Sequence, residues 1–227
     1  MPRDTLDLKL ERLLNELLVL DSMVEQATMD AVQALKQHDL ETARRIYKGD
    51  EAINDKRFTI ENDSIVTIAT QQPIMATDLR LMASILEVIS ELERMGDYAK
   101  GIAKITLRIG MQPHIKPIID LPRMAEKAVD MLHRAVAAFV ARDAETARHI
   151  PDEDDFVDQL YDQIYRELIS VIMSHPETID QANLLMWAAH NLERMADRVT
   201  NICERTIYIV TAEMKEIDTT DFTLLEE

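Results

Sequence analysis

Glu93 and Asp97 stand four residues apart, and Glu193 and Asp197 repeat the arrangement at an offset of 100. On a helix, positions i and i+4 share a face about one turn apart, so each pair brings two carboxylates together. On a helical wheel Glu93 and Asp97 fall in the sector of Met82, Leu86 and Ile89, whereas Glu87 and Arg94 point away. Two like charges at this spacing cost about 0.2–0.5 kcal/mol on an exposed helix and more where solvent is excluded, so a cation is expected between them. Matching pairs lie upstream, Asp50 with Asn54 and Asp154 with Asp158, followed one turn later by Phe58 or Asp162. Each half of the chain therefore offers four oxygen-bearing side chains. Oxygen ligands without cysteine suit hard or borderline cations such as Fe, Mn, Mg, Ca or Zn, which predicts one metal site per half.

Other uses of the same acids are open on spacing alone. They can form interhelical ion pairs with Arg44, Arg57, Arg94, Arg194 or Arg198, in a helical scaffold whose charged faces are simply solvated. The second half is the harder case for such pairing, because the turn after Asp197 carries Thr200 and Asn201 and only Arg194 lies on the turn before. A dimetal carboxylate enzyme would need Glu-x-x-His ligand pairs, yet the third position after Glu93 is Gly96 and after Glu193 is Ala196. His190, one turn before Glu193, reads as a hydrogen-bonded packing residue, and Trp187 as a buried or interfacial one. The chain has no Gly-rich phosphate loop, no cysteine pair and no HExxH motif, and nothing in it requires an enzyme.

The elements that must position these residues are helical. Leu6, Leu10, Leu13, Leu17, Leu20, Val24, Ala27 and Ala31 recur at steps of three and four, the seam of a long amphipathic helix. A helix start at Asp39–Thr42 opens a second helix that runs to about Gln72, where Pro73 stops it. A third pattern runs from about Leu79 to Ile109, and residues 110–117 form the clear linker. The order then returns: a helix beyond Pro122 to about Ala141, one from about Asp152 to Ser174, and one from about Ile179 to Met214. The duplication is legible in the residues themselves. The eight residues 39–46 and 143–150 share six identities at an offset of 104, and Leu92–Asp97 matches Leu192–Asp197 at an offset of 100. The expected organisation is an all-α tandem of antiparallel three-helix bundles: residues 1–110, a linker over 111–120, residues 121–217, and an acidic tail over 218–227.

Composition agrees and narrows the function. Of 227 residues, 47% are hydrophobic, only four are glycine and 4% are aromatic, which favours long packed helices over a turn-rich β fold. A formal charge of −17 repels a phosphate backbone, so direct nucleic-acid binding is not expected. Cys203 is the single cysteine, inside a helical pattern, so no intrachain disulfide forms and a reducing compartment fits. Residues 1–20 lack the features of a signal peptide and no run approaches about 18 apolar residues, so no membrane insertion and a cytoplasmic location are expected.

The stretch Gln71-Gln-Pro-Ile-Met-Ala-Thr-Asp-Leu-Arg80, followed by Leu92-Glu-Arg-Met-Gly-Asp97 and then Leu192-Glu-Arg-Met-Ala-Asp197, resembles the PhoU family over nearly the whole chain. That resemblance implies a tandem pair of three-helix bundles whose E(D)xxxD motifs hold metal, usually iron or zinc, at Glu93, Asp97, Asp154, Asp158, Glu193 and Asp197. Asp50 with Asn54 departs from the pattern, because Asn54 is a neutral donor. The resemblance further implies a regulatory accessory protein of phosphate uptake. Its expected partners are the ATPase subunit of the phosphate ABC transporter and the phosphate-sensing histidine kinase, with a braking action on the phosphate regulon when phosphate is plentiful. The long first helix, with the resemblance, favours a homodimer.

Overall fold

The computed structural model describes residues 2–71 and 73–217, with side chains from residue 4 onward; the expected acidic tail, 218–227, lies outside the described residues. Six long helices make the fold. The first copy comprises α1 (Pro2–Gln37), α2 (Leu40–Thr70) and α3 (Ala76–Ile109). The second comprises α4 (Asp120–Ala141), the short α5 (Ala144–His149), α6 (Asp154–Ser174) and α7 (Ile179–Thr211). Among the described residues there is no strand, and no helix is long and apolar enough to cross a membrane.

The predicted seam of α1 is the buried one. Leu6, Leu10, Leu13, Leu17, Leu20, Val24 and Ala31 are all at most 5% exposed, while Ala27 packs at the edge of the core. A helix of 36 residues offers that stripe over about 54 Å, enough to touch α2, α3 and α4 in turn. α3 packs along α7, and one continuous apolar core runs through both copies, so the three-helix units share an interior. Met95, Leu92 and Ile102 of α3 and Met195, Leu192 and Ile202 of α7 are all essentially inaccessible within it.

The repeat is written most plainly in the corners. His38 and Arg142 take left-handed conformations with φ of 57° and 56°. The next residue's N–H then reaches back to the helix it leaves, Asp39 N to Ala34 O at 2.9 Å and Asp143 N to Ala138 O at 2.8 Å. Each aspartate also caps the helix that follows, its carboxylate accepting from the N–H groups of Glu41 and Thr42 or of Glu145 and Thr146. The identical Asp-x-Glu-Thr runs are thus the start signals of α2 and α5.

Three boundaries differ from the sequence expectation, each for a local reason. α4 begins at Asp120, two residues ahead of Pro122, because a proline in the first turn loses no helical hydrogen bond. The second copy's middle helix is split: Pro151, at the position of Tyr47 by the repeat, ends α5 and forces a 3-10 turn over Pro151–Glu153 before α6 starts at Asp154. Glu153 anchors that turn to α4 through both terminal nitrogens of Arg134, at 2.6 and 2.8 Å, and through Lys127. α7 ends at Thr211, with Ala212 left-handed at φ 62°.

The linker is pinned on both sides. His38 Nδ1 meets Gly110 O at 3.0 Å, His114 Nε2 meets Leu35 O at 2.9 Å, and the two rings stack with centroids 3.9 Å apart. Gln181 of α7 accepts from Ile115 N at 2.7 Å and donates to Pro113 O at 3.1 Å.

Two substitutions test the corner. Asp143→Ala removes the cap and is expected to lower the midpoint of urea denaturation. Arg142→Gly relieves an exposed left-handed residue and is expected to gain a few tenths to about 1 kcal/mol; a loss would mean that the side chain holds the corner.

Candidate metal centres

The motif carboxylates lie at the seams between the middle and last helices of each copy, on α2 and α3 in the first and on α6 and α7 in the second. They do not form two equivalent sites. In the second copy Asp154 is buried and Asp158, Glu193 and Asp197 surround it closely enough to interact. Burial first, then Asp158, Asp197 and Glu193, push the Asp154 carboxyl up to about 7. Burial, then Asp197 and Asp158, push Glu193 up to about 7 as well. Asp158 and Asp197 are also raised, chiefly by burial. Asp154 Oδ1 and Glu193 Oε2 are buried without a hydrogen-bond partner in the protein, although Glu193 Oε2 lies 3.1 Å from His190 Nδ1.

None of the arginines that might neutralise these groups does so by contact. Arg198 spends its guanidinium across the copies, donating to Glu91 Oε2 and to Tyr98 Oη at 2.7 Å each. Arg194 lies 5.9 Å from the centre of the Tyr98 ring. Arg57 pairs with Glu61 at 2.9 Å and Arg94 approaches Glu91 at 3.7 Å. Among the described residues no ion pair joins Arg44, Arg57, Arg94, Arg194 or Arg198 to a motif carboxylate.

The first copy carries its own cation. Lys100 Nζ is 2.6 Å from Asp50 Oδ2 and 3.6 Å from Asp97 Oδ1, and Asn54 donates to the same Asp50 oxygen at 3.2 Å. The Asp50 hydrogen bond holds the Lys100 ammonium above the usual lysine value. Glu93 is raised by burial and by Asp97, and Asp97 itself is half exposed, so the pair sits at the rim of the core. The repeat places Thr200 where the first copy has Lys100, and the Thr200 hydroxyl is buried without a partner. The structure thus gathers Asp154, Asp158, Glu193 and Asp197 with no arginine or lysine in contact, Arg194 acting on Glu193 and Asp197 only from a distance, and places Asp50, Asn54, Glu93 and Asp97 around an ammonium. In neither cluster do three carboxylates bring donor atoms within 4.8 Å of one another as they stand, so one ion would draw them inward.

Lys100 escapes the sequence reading, in which His190 is a packing residue. Lys100 was visible as the residue three positions after Asp97, aligned with Thr200. His190 sits beside Glu193, packed against Trp187 and Tyr161 with ring centroids 5.6 and 6.2 Å away. Trp187 is 55% exposed, so these aromatics rim the second-copy cluster on its open side. The neighbouring small residues explain the one difference between the motifs. A Cβ on Gly96 would lie 3.1 Å from Ile53 Cγ2, whereas the second copy pairs Ala196 with the smaller Val157 at the equivalent positions.

Fold and site together define a class: an internally duplicated all-helical protein with a carboxylate cluster on each copy's last helix seam. The family model for the PhoU domain matches residues 17–106 and again 121–206. The chain is 36% identical to the phosphate-specific transport system accessory protein PhoU homolog of Clostridium acetobutylicum, covering 97% of this chain and all of that one. It is 35% identical to the phosphate-specific transport system accessory protein PhoU of Escherichia coli, over 89% of this chain and 83% of that one. Among solved structures, the phosphate transport system regulatory protein PhoU from Streptococcus pneumoniae superposes with a TM-score of 0.86 at 32% identity, over 93% of this chain and all of that one. PhoU from Pseudomonas aeruginosa superposes at 0.85 with 30% identity, over 91% and 99%. The chain belongs to the PhoU family.

The second-copy cluster makes a signed prediction. Carboxyls that bind protons more tightly folded than unfolded stabilise the fold below about pH 4, and that contribution is lost as pH rises through about 7. In chelator, Asp154→Asn with Glu193→Gln is therefore expected to flatten the fall in stability between pH 5 and 8. It should raise unfolding free energy at pH 8 by about 1–2 kcal/mol after allowing for solvent screening. A parent and variant with parallel pH profiles would refute the cluster.

Proposed function

We propose that this chain is a regulatory accessory protein of phosphate uptake, acting on the ATPase subunit of a phosphate ABC transporter and on the sensor histidine kinase of the phosphate regulon. The observation that carries this reading is the likeness over nearly the full chain to relatives named as phosphate-specific transport system accessory proteins. The geometry supports it in form: a fold of long helices with a net charge of −17 offers extended faces for proteins rather than for polyanions. Deleting the gene in its own host is expected to derepress a phosphate-starvation reporter under phosphate-replete growth, with restoration by the intact chain. A reporter indifferent to the deletion would sink the regulatory role.

We further assign a hard or borderline cation, iron or zinc first and manganese, magnesium or calcium after them, to the second copy. The supporting observations are four mutually repelling carboxylates and two buried oxygens without partners. Asp154, Asp158, Glu193 and Asp197 would hold it, and a bound cation would supply the contacting positive charge that Arg194 and Arg198 of α7 do not. The first copy does not fit a multivalent ion in this arrangement, because the Lys100 ammonium already stands against Asp50 and Asp97.

That contrast yields a test in which two of the variants, Thr200→Lys and Lys100→Thr, remove no ligand. Metal content per chain, measured by mass spectrometry on protein purified without a metal-binding tag, is expected to fall in Thr200→Lys and in Glu193→Gln/Asp197→Asn. Lys100→Thr is expected to gain an ion. A parent that is folded and metal-free, and stays so after incubation with iron or zinc, would leave the scaffold and remove the metal.

A further inference from the structure

A third cluster lies away from both motif sets, where the first helices of the two copies meet. We propose that Asp21 and Glu25 of α1 with His133 of α4 form a site for one divalent transition-metal ion. The three side chains each offer a donor atom, and these lie within 4.8 Å of one another. His133 Nδ1 stands 3.0 Å from Glu25 Oε1. Asp21 is only 4% exposed, and its Oδ1 has no hydrogen-bond partner in the protein. A buried acceptor left unpaired beside a second carboxylate is costly unless a cation or a proton joins them.

The repeat shows that packing does not ask for acids here. Shifted by 104, Asp21 and Glu25 correspond to Ala125 and Val129, and His133 corresponds to Met29, all apolar. The polar trio therefore belongs to one pairing of α1 with α4 and has no counterpart in the other copy. Burial and the neighbouring Glu25 carboxylate push the Asp21 carboxyl up to about 8, the strain that a cation would relieve.

The donor set selects the ion. Two carboxylates and one imidazole suit zinc, manganese or ferrous iron better than calcium or magnesium, which take oxygen almost exclusively. Donors around a tetrahedral ion with bonds of about 2.0–2.1 Å are about 3.3 Å apart. Glu25, at the surface of the seam, has the freedom to close that distance. His133 is largely exposed, so solvent or a partner group can complete the coordination. A bound ion would join α1 to α4 and so tie the first copy to the second.

The test uses the full chain stripped with chelator and titrated with Co²⁺, read by visible absorption and by calorimetry. The parent is expected to bind one more ion than His133→Ala or Asp21→Asn, or to bind that ion at least tenfold more tightly. His133 is at the surface and Asp21→Asn keeps its shape, so both variants are expected to fold. In parallel, Glu193→Gln/Asp197→Asn is expected to keep the ion that His133→Ala loses, which separates this site from the second-copy cluster. Equal stoichiometry and affinity in parent and His133→Ala overturns the proposal. So does an Asp21→Asn variant whose stability profile shifts with pH while its Co²⁺ binding does not, since a shared proton would then occupy the cluster.

Discussion

The close approach of α3 and α7 is the constraint from which the electrostatics of this protein follow. At Gly101 the two helices are so near that an added Cβ would sit 2.8 Å from Asn191 Nδ2. Helices this close must find partners for whatever polar groups they trap, and Arg198 with Glu91 and Tyr98 is the solution adopted. That solution commits Arg198 of α7 to Glu91 and Tyr98, while Arg194 stays exposed near the Tyr98 ring. The acids on the outer side of the same helix are left with no arginine in contact. A packing requirement at the middle of the fold thus sets the charge state at its flank.

The two copies answer one problem differently. Each has acids on facing helices that would repel one another once solvent is limited. In the first, a lysine one turn beyond the motif closes the ring of charge within the chain. In the second, the equivalent residue is a threonine and the charge stays open, beside an aromatic rim that faces outward. Duplication preserved three of the four acids, with Asn54 standing where the second copy has Asp158, while the countercharge diverged. The two clusters therefore differ in charge even though their motifs read almost alike.

Much of the architecture was legible in the residues because its signals are local. The apolar seam of α1, the helix start at Asp39 and the stop at Pro73 each act within a turn of their own position, and the structure follows them. The short α5 was not anticipated, although the repeat of Asp-x-Glu-Thr marked its start, because the middle helix of the second copy was expected to open only at about Asp152. At the sites, spacing alone identified the paired carboxylates, yet their environment depends on which cations tertiary packing draws away. Arg194 and Arg198 look available in sequence and are turned toward Tyr98 in space. The cluster of Asp21, Glu25 and His133 joins helices more than a hundred residues apart, and no periodicity in the chain relates them.

The break at Pro151 changes more than the course of the chain. Asp50 lies ten residues inside α2, where backbone amides are consumed by the helix and offer nothing to a carboxylate. Its counterpart Asp154 is the first residue of α6, its own N–H already spent on Pro151 O, and its buried Oδ1 has no hydrogen-bond partner in the protein. By ending one helix and starting another, the proline sets this acid at a helix boundary, on the seam where the second copy lacks an ammonium. The first copy meets its buried acids with a whole formal charge on a side chain. The second has no such charge in contact, and burial with the neighbouring acids pushes the Asp154 carboxyl up to about 7 instead.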